Sequence, residues 1–156
     1  MANGKRYYIA YGSNLNIRQM LVRCPGAQII GTSVIPDYEL LFKGSKTGSY
    51  LTIEPKAGAS VPVAAWEVSE ADEAALDRYE GFPDFYYKAE MVLPIKGIRS
   101  GKVRRRRVFV YIMHEERNLG LPSAHYVAVC REGYDAFGFG QRYLTEAIQR
   151  SMEGMK

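Results

Sequence analysis

Apolar and polar positions along the chain alternate in short runs of strand length, interrupted by turn chemistry. Arg6–Tyr11 is the first run, and Ala27–Ile35 follows, entered through the turn pair Pro25-Gly26. Tyr38–Lys43 comes after Pro36-Asp37. Leu51–Glu54 and Val61–Val68 stand on either side of Pro55-Lys56-Ala57-Gly58. Tyr86–Pro94 and Val108–Met113 complete the set, and Lys96–Lys102 between them reads as an exposed hairpin loop.

Helical spacing is rarer. Ile17–Arg23 reads as a short helix. Ala71, Ala75, Leu76 and Tyr79 form an apolar stripe at helical spacing. Ser69 and Asp72 form a capping box before that stripe, acidic residues load its first turn, and Gly81 supplies a left-handed stop. Ser123 caps a third segment reaching about Gly133. Gly140–Met152 is a fourth, with Tyr143, Leu144, Ile148 and Met152 on one face.

Strands outnumber helices, and the helices are scattered through the order. This predicts an α+β fold: a mixed, largely antiparallel sheet curled into a partial barrel flanked by a few helices. With no repeat or linker, residues 1–156 read as a single domain.

Composition changes this picture little. A hydrophobic share of 47% and a charged share of 24% are ordinary for a globular chain. No apolar run approaches the ~20 residues that span a membrane, so no membrane partner is expected. The N-terminus lacks a signal-peptide core, which points to the cytoplasm. Cys24 and Cys130 match no metal spacing and read as reduced, partly buried thiols. His114 and His125 stand apart, so no metal is expected. The net charge of +4 owes much to Arg104–Arg107. That run suits a polyanion in principle, but no nucleic-acid motif accompanies it; solvation of the start of the following strand is the simpler reading, and no nucleic-acid partner is expected. No partner interface stands out, which leaves a monomer or a weak dimer.

Two places carry candidate chemistry. Tyr7–Ala10 runs as a strand into Tyr11-Gly12-Ser13-Asn14-Leu15, a small-residue loop that opens a helix. Backbone N–H groups converge at such a point and suit a carboxylate or phosphate. Gly12 is read as giving room where a side chain would clash. The same residues also fit a plain strand-to-helix turn with Asn14 or Asn16 as cap. The second place is Leu76-Asp77-Arg78-Tyr79-Glu80-Gly81-Phe82. Glu80 falls at the negative end of a helix and among aromatic residues, and both raise a carboxyl pKa towards the range of a general acid/base. The alternative is an exposed last-turn glutamate.

In combination these segments resemble the γ-glutamylcyclotransferase-like superfamily, including its AIG2-like and butirosin-pathway cyclotransferase-like members. The resemblance rests on Tyr11-Gly12-Ser13-Asn14-Leu15, on Met20-x-x-Arg23-Cys24-Pro25-x-Ala27 with Gly31, on Leu76-Asp77-x-Tyr79-Glu80-Gly81, and on Pro122-Ser123-x-x-Tyr126 with Gly133. It implies a mixed barrel flanked by helices, a small-molecule γ-glutamyl substrate and no cofactor. It also implies a role for each matched residue. The amides of Gly12, Ser13, Asn14 and Leu15 would hold the substrate carboxylate or the carbonyl under attack. Glu80 would take a proton from the α-ammonium, whose amine then attacks its own γ-carbonyl, giving 5-oxoproline and a free amine or amino acid. Tyr11 and Tyr126 would line or support the pocket. Tyr86, or its neighbour Tyr87, would supply a further pocket tyrosine, with Tyr86 preferred. A binding module that holds a γ-glutamyl or amino-acid ligand in the same pocket is the alternative.

Overall fold

The computed structural model describes residues 5–45 and 48–155. Residues 1–4, on which the reading of the N-terminus rests, lie outside them. The elements run β1 (Arg6–Ala10), a 3-10 turn (Ser13–Leu15), α1 (Ile17–Arg23), β2 (Gln28–Ser45), β3 (Gly48–Val68), α2 (Glu70–Glu80), β4 (Tyr86–Gly97), β5 (Val103–Met113), β6 (Asn118–Leu119), α3 (Ala124–Phe137) and α4 (Arg142–Gly154).

The sheet order is β3-β1-β5-β4-β2-β6, and β2 also pairs with β3. That extra pairing closes β1 to β5 into a five-stranded barrel, where the sequence suggested a partial one. The β1–β5 contact is parallel and the other pairings are antiparallel, so the barrel is mixed. Closure removes edges that would otherwise offer unpaired backbone groups.

Several expected strands merge. Pro36-Asp37 and Pro55–Gly58 do not break the chain but mark an irregularity inside one long β2–β3 hairpin, between the pairs Pro36↔Ser60 and Tyr38↔Pro55. Proline cannot donate to the ladder, so the two sit where pairing is interrupted. Asp37 takes a left-handed conformation there (φ 59°), and its carboxylate accepts from the Gly58 N–H at 3.0 Å. Arg104–Arg107 likewise lies within β5, paired with Val92–Ile95 of β4, rather than before a strand. Arg107 meets Glu90, and Arg106 donates to the Tyr7 hydroxyl.

The helix signals are met closely. The Ser69 hydroxyl accepts from the Asp72 N–H and the Asp72 carboxylate accepts from the Ser69 N–H, which completes the capping box of α2. Gly81 ends α2 in the left-handed region (φ 65°). Asn16, not Asn14, caps α1 by accepting from the Gln19 N–H. Ser123 caps α3, which runs on to Phe137 because Gly133 is a packing position and not a stop.

One contiguous core joins both faces of the barrel, with Trp66, Tyr111, Phe42, Phe109 and Tyr134 among its largest buried side chains. Burying each side chain of that size stabilises by roughly 1.5–3 kcal/mol. The core also fixes the loop after β1. A Cβ on Gly133 would lie 2.6 Å from the Leu15 carbonyl carbon, so α3 presses directly on the 3-10 turn. The Tyr134 hydroxyl donates to the Tyr11 carbonyl at 2.8 Å, and the Asn16 side chain donates to the Val129 carbonyl at 3.1 Å. A loop of small residues is thereby anchored on α3.

Candidate active site

The end of β1 and the end of α2 meet at a cavity of about 340 Å³. Glu80 is the last residue of α2, two turns beyond the first acidic turn, and its carboxyl opens onto this cavity. Barrel strands and α3 enclose it with aromatic rings: Tyr8 from β1, Tyr86 from β4, Tyr111 from β5 and Tyr126 from α3. Burial raises the Glu80 carboxyl to about 8, partly opposed by the Arg23 guanidinium. The sequence pointed to a raised value for two reasons, helix polarity and aromatic surroundings; desolvation is the larger cause in the folded protein.

Across the cavity lies the loop. The Leu15 N–H bonds the Gly12 carbonyl at 3.0 Å and the Asn16 N–H bonds the Ser13 carbonyl at 3.0 Å. Leu15 is fully buried and does not line the cavity. Gly12, Ser13 and Asn14 do line it, and their N–H groups have no acceptor among the described residues. Thus three of the four expected residues line the same cavity as Glu80, and the fourth anchors the turn. Room is not what demands glycine at position 12: an added Cβ would touch Leu51 and the Tyr126 hydroxyl at 3.4 Å, an ordinary contact.

The side chains of the loop tie it to α2. The Ser13 and Tyr79 hydroxyls are 2.9 Å apart. The Asn14 amide donates to the Tyr8 hydroxyl at 3.0 Å and reaches Glu80 Oε1 at 3.5 Å. Asn14 is therefore a side chain in the site rather than a helix cap.

Most of the cavity tyrosines use their hydroxyls in hydrogen bonds within the protein. Tyr86 donates to the Leu51 carbonyl at 2.7 Å, and Tyr126 accepts from the Leu51 N–H at 3.1 Å, so the two together clamp one residue of β3. Tyr11 donates to the Tyr111 carbonyl at 2.7 Å. Tyr111 in turn donates to Asp77 at 2.6 Å. Burial holds Tyr8, Tyr11, Tyr86 and Tyr126 well above the ordinary tyrosine value, so each stays a neutral hydroxyl at physiological pH. Tyr87 points elsewhere: it hydrogen-bonds Glu115 and packs on His114 with ring centroids 5.2 Å apart. The choice between Tyr86 and Tyr87 as the residue lining the cavity thus falls to Tyr86.

Tyr79 and Phe85, aromatic neighbours of Glu80 in the sequence, line the wall as well, and Tyr8, Tyr50 and Tyr111 join them without having been singled out from the sequence. Twelve tyrosines in the chain were the available signal; which of them converge depends on strands far apart in sequence. Among the described residues no group of three or more His, Cys, Asp or Glu side chains is placed to hold a metal ion. Nor is any helix among them long and apolar enough to cross a membrane.

The chain and its fold are similar to those of known proteins. A mouse protein described as gamma-glutamylcyclotransferase is 28% identical over 144 residues, covering 87% of this chain and 73% of its own. A solved structure of a gamma-glutamyl cyclotransferase superposes with a TM-score of 0.78 at 23% identity, covering 92% of this chain and 86% of that one. An uncharacterized human protein superposes with a TM-score of 0.76 at 25% identity and the same coverage. Residues 8–128, which carry the loop, Glu80 and Tyr126, match the family described as gamma-glutamyl cyclotransferase, AIG2-like; the chain belongs to that family.

Proposed function

We propose that this protein is a γ-glutamyl cyclotransferase, releasing 5-oxoproline and an amine or amino acid from a γ-glutamyl compound. One observation carries the reading above the others. A carboxyl raised to about 8 and the loop residues Gly12, Ser13 and Asn14, whose N–H groups have no acceptor among the described residues, line one small aromatic cavity.

The Glu80 carboxyl, raised to about 8, is a far stronger base than an ordinary glutamate, so it takes a proton from the substrate's α-ammonium with a small thermodynamic penalty. The freed amine attacks the γ-carbonyl of the same molecule and closes a five-membered lactam. Negative charge develops on the carbonyl oxygen, where loop amides stabilise it by a few kcal/mol. Glu80 gives its proton to the departing nitrogen, then takes the second proton of the former α-amine as it becomes the lactam N–H and passes it to the released amine, which leaves as an ammonium and restores the carboxylate. Both reacting atoms belong to one molecule, so fixing its conformation supplies roughly 7–11 kcal/mol of the barrier reduction. The neutral tyrosine hydroxyls offer orientation without competing for the proton.

The test is 5-oxoproline release from a panel of γ-glutamyl amino acids and γ-glutamyl amines. Wild type releases it, Glu80→Gln does not, and the preferred leaving amine names the substrate. Tight binding of the panel without release by wild type would replace catalysis with a binding role.

A further inference from the structure

Arg23 ends α1 and does not line the cavity, yet it makes three contacts behind it. Its Nη1 donates to Asn14 Oδ1 at 2.6 Å and its Nη2 donates to Gln19 Oε1 at 2.9 Å. Its guanidinium carbon lies 3.6 Å from the centre of the Tyr79 ring. Tyr79, held by Ser13, thus acts as a platform that fixes the plane of the guanidinium.

A guanidinium carries only donors. The atom of Asn14 that faces it must therefore be the carbonyl oxygen, and the NH₂ group is turned towards Tyr8 and Glu80. We propose that Arg23 is a positioning residue for proton transfer: by locking the Asn14 amide in this orientation, it keeps an N–H donor aimed at the Glu80 carboxylate. This rests on Glu80 being the acid/base of the proposed reaction.

Without Arg23 the Asn14 amide is free to turn over. Its oxygen would then face Glu80, which suits the protonated carboxyl and opposes the carboxylate. Loss of the positive charge acts in the same direction. Both effects favour the acid form and deplete the base at neutral pH. The other groups around Glu80 do not substitute for Arg23. Tyr8 of β1, Tyr11 just after it, Tyr86 of β4 and Tyr126 of α3 are held neutral by burial. Tyr79 on α2 and Tyr111 on β5 are raised as well, and Tyr50 of β3 is a further phenol. Asp77 is bound by Lys88 at 2.9 Å, and Lys88 also binds Glu73. Arg78 lies at the exposed rim of the cavity.

The test reads Glu80 itself. In full-length protein labelled with ¹³C at glutamate carboxyls, the Glu80 signal is assigned by its loss in Glu80→Gln and titrated in wild type, Arg23→Gln and Arg23→Lys. The midpoint rises by about one pH unit in Arg23→Gln, and Arg23→Lys, which keeps the charge but not the fork, falls between the two. The Asn14 side-chain NH₂ resonances of wild type shift with the Glu80 midpoint, a reading that needs no variant to fold. An unchanged midpoint in a folded Arg23→Gln, or Asn14 protons indifferent to the Glu80 titration, overturns the proposal. In turnover, the acid limb of kcat/KM moves up with the midpoint. Arg23→Gln then loses up to about tenfold at neutral pH and approaches wild type in alkali, whereas a purely structural loss is uniform across pH. If wild type releases no 5-oxoproline, the proposed function fails while the titration still answers for Arg23.

Discussion

Glu73 and Glu80 lie seven residues apart on α2, hence within about 20° of the same helix face. Their surroundings differ completely. Glu73 accepts from Arg6 at 2.9 Å and from Lys88 at 2.5 Å. Midway between them, Asp77 is held by Lys88 and by the Tyr111 hydroxyl. Among the described residues no cation is in contact with Glu80, which has only the long approach of Asn14. Two turns of one helix therefore separate carboxylates that fasten α2 to the barrel from a carboxyl left able to gain and lose a proton. Pairing makes a charge structural; withholding the pair inside an aromatic cavity makes it chemical.

The sharpest way to break this comparison is to neutralise each glutamate in turn. Glu80→Gln should lower turnover by about 10²–10⁴-fold or more while leaving the fold intact. Circular dichroism and 5-oxoproline release check the two halves. Glu73→Gln should do the reverse, keeping turnover within a few-fold. If Glu73→Gln proved the more damaging to catalysis, the division of roles along α2 would be wrong.

A second change asks whether the wall opposite Glu80 must be rigid. Gly133→Ala places a methyl 2.6–2.7 Å from the Leu15 and Asn16 backbone, where neither α3 nor the turn has slack. It should cost about 1–3 kcal/mol by denaturant unfolding and weaken activity through the displaced loop. A neutral outcome would show that the turn yields.

The stability cost of Glu73→Gln should be smaller, about 1 kcal/mol, since Arg6 is well exposed and only Lys88 is partly buried. Thermal unfolding measures it, with Lys88 still held by Asp77 as the compensating contact.

The finest test is the sign of a pH effect. The Glu80 carboxyl has a folded pKa of about 8, above its ordinary value of 4.5. The folded state therefore binds more protons than the unfolded state between those values, and stability falls as pH rises through that window. Glu80→Gln removes this slope. Its melting temperature should exceed that of wild type by several degrees near pH 8.5, and the gap should narrow towards pH 5. A gap constant with pH would mean that Glu80 ionises freely in the folded protein.

How much of this was legible beforehand varies by element. The capping box at Ser69 and Asp72 and the stop at Gly81 were readable because each depends on neighbours within one helical turn. Prolines misled: Pro36 and Pro55 signal turns locally, but the β2–β3 pairing continues on both sides of them and absorbs them as an irregularity. Asn14 and Asn16 were equivalent caps on paper. The choice between them came from Arg23 and Tyr8, which engage Asn14 and leave Asn16 for the helix.

The sequence by itself determined the secondary-structure classes, the mixed and mostly antiparallel character of the sheet, and the two segments that meet at the site. Those follow from short-range periodicity, cap chemistry and motifs that are local by nature. Closure of the barrel, the selection of Tyr86 over Tyr87, the retirement of Leu15 into the turn and the placing of Arg23 behind Asn14 were decided only by tertiary structure. Each depends on groups brought together from distant strands and helices, and the protonation behaviour of Glu80 depends on that enclosure rather than on its position in the chain.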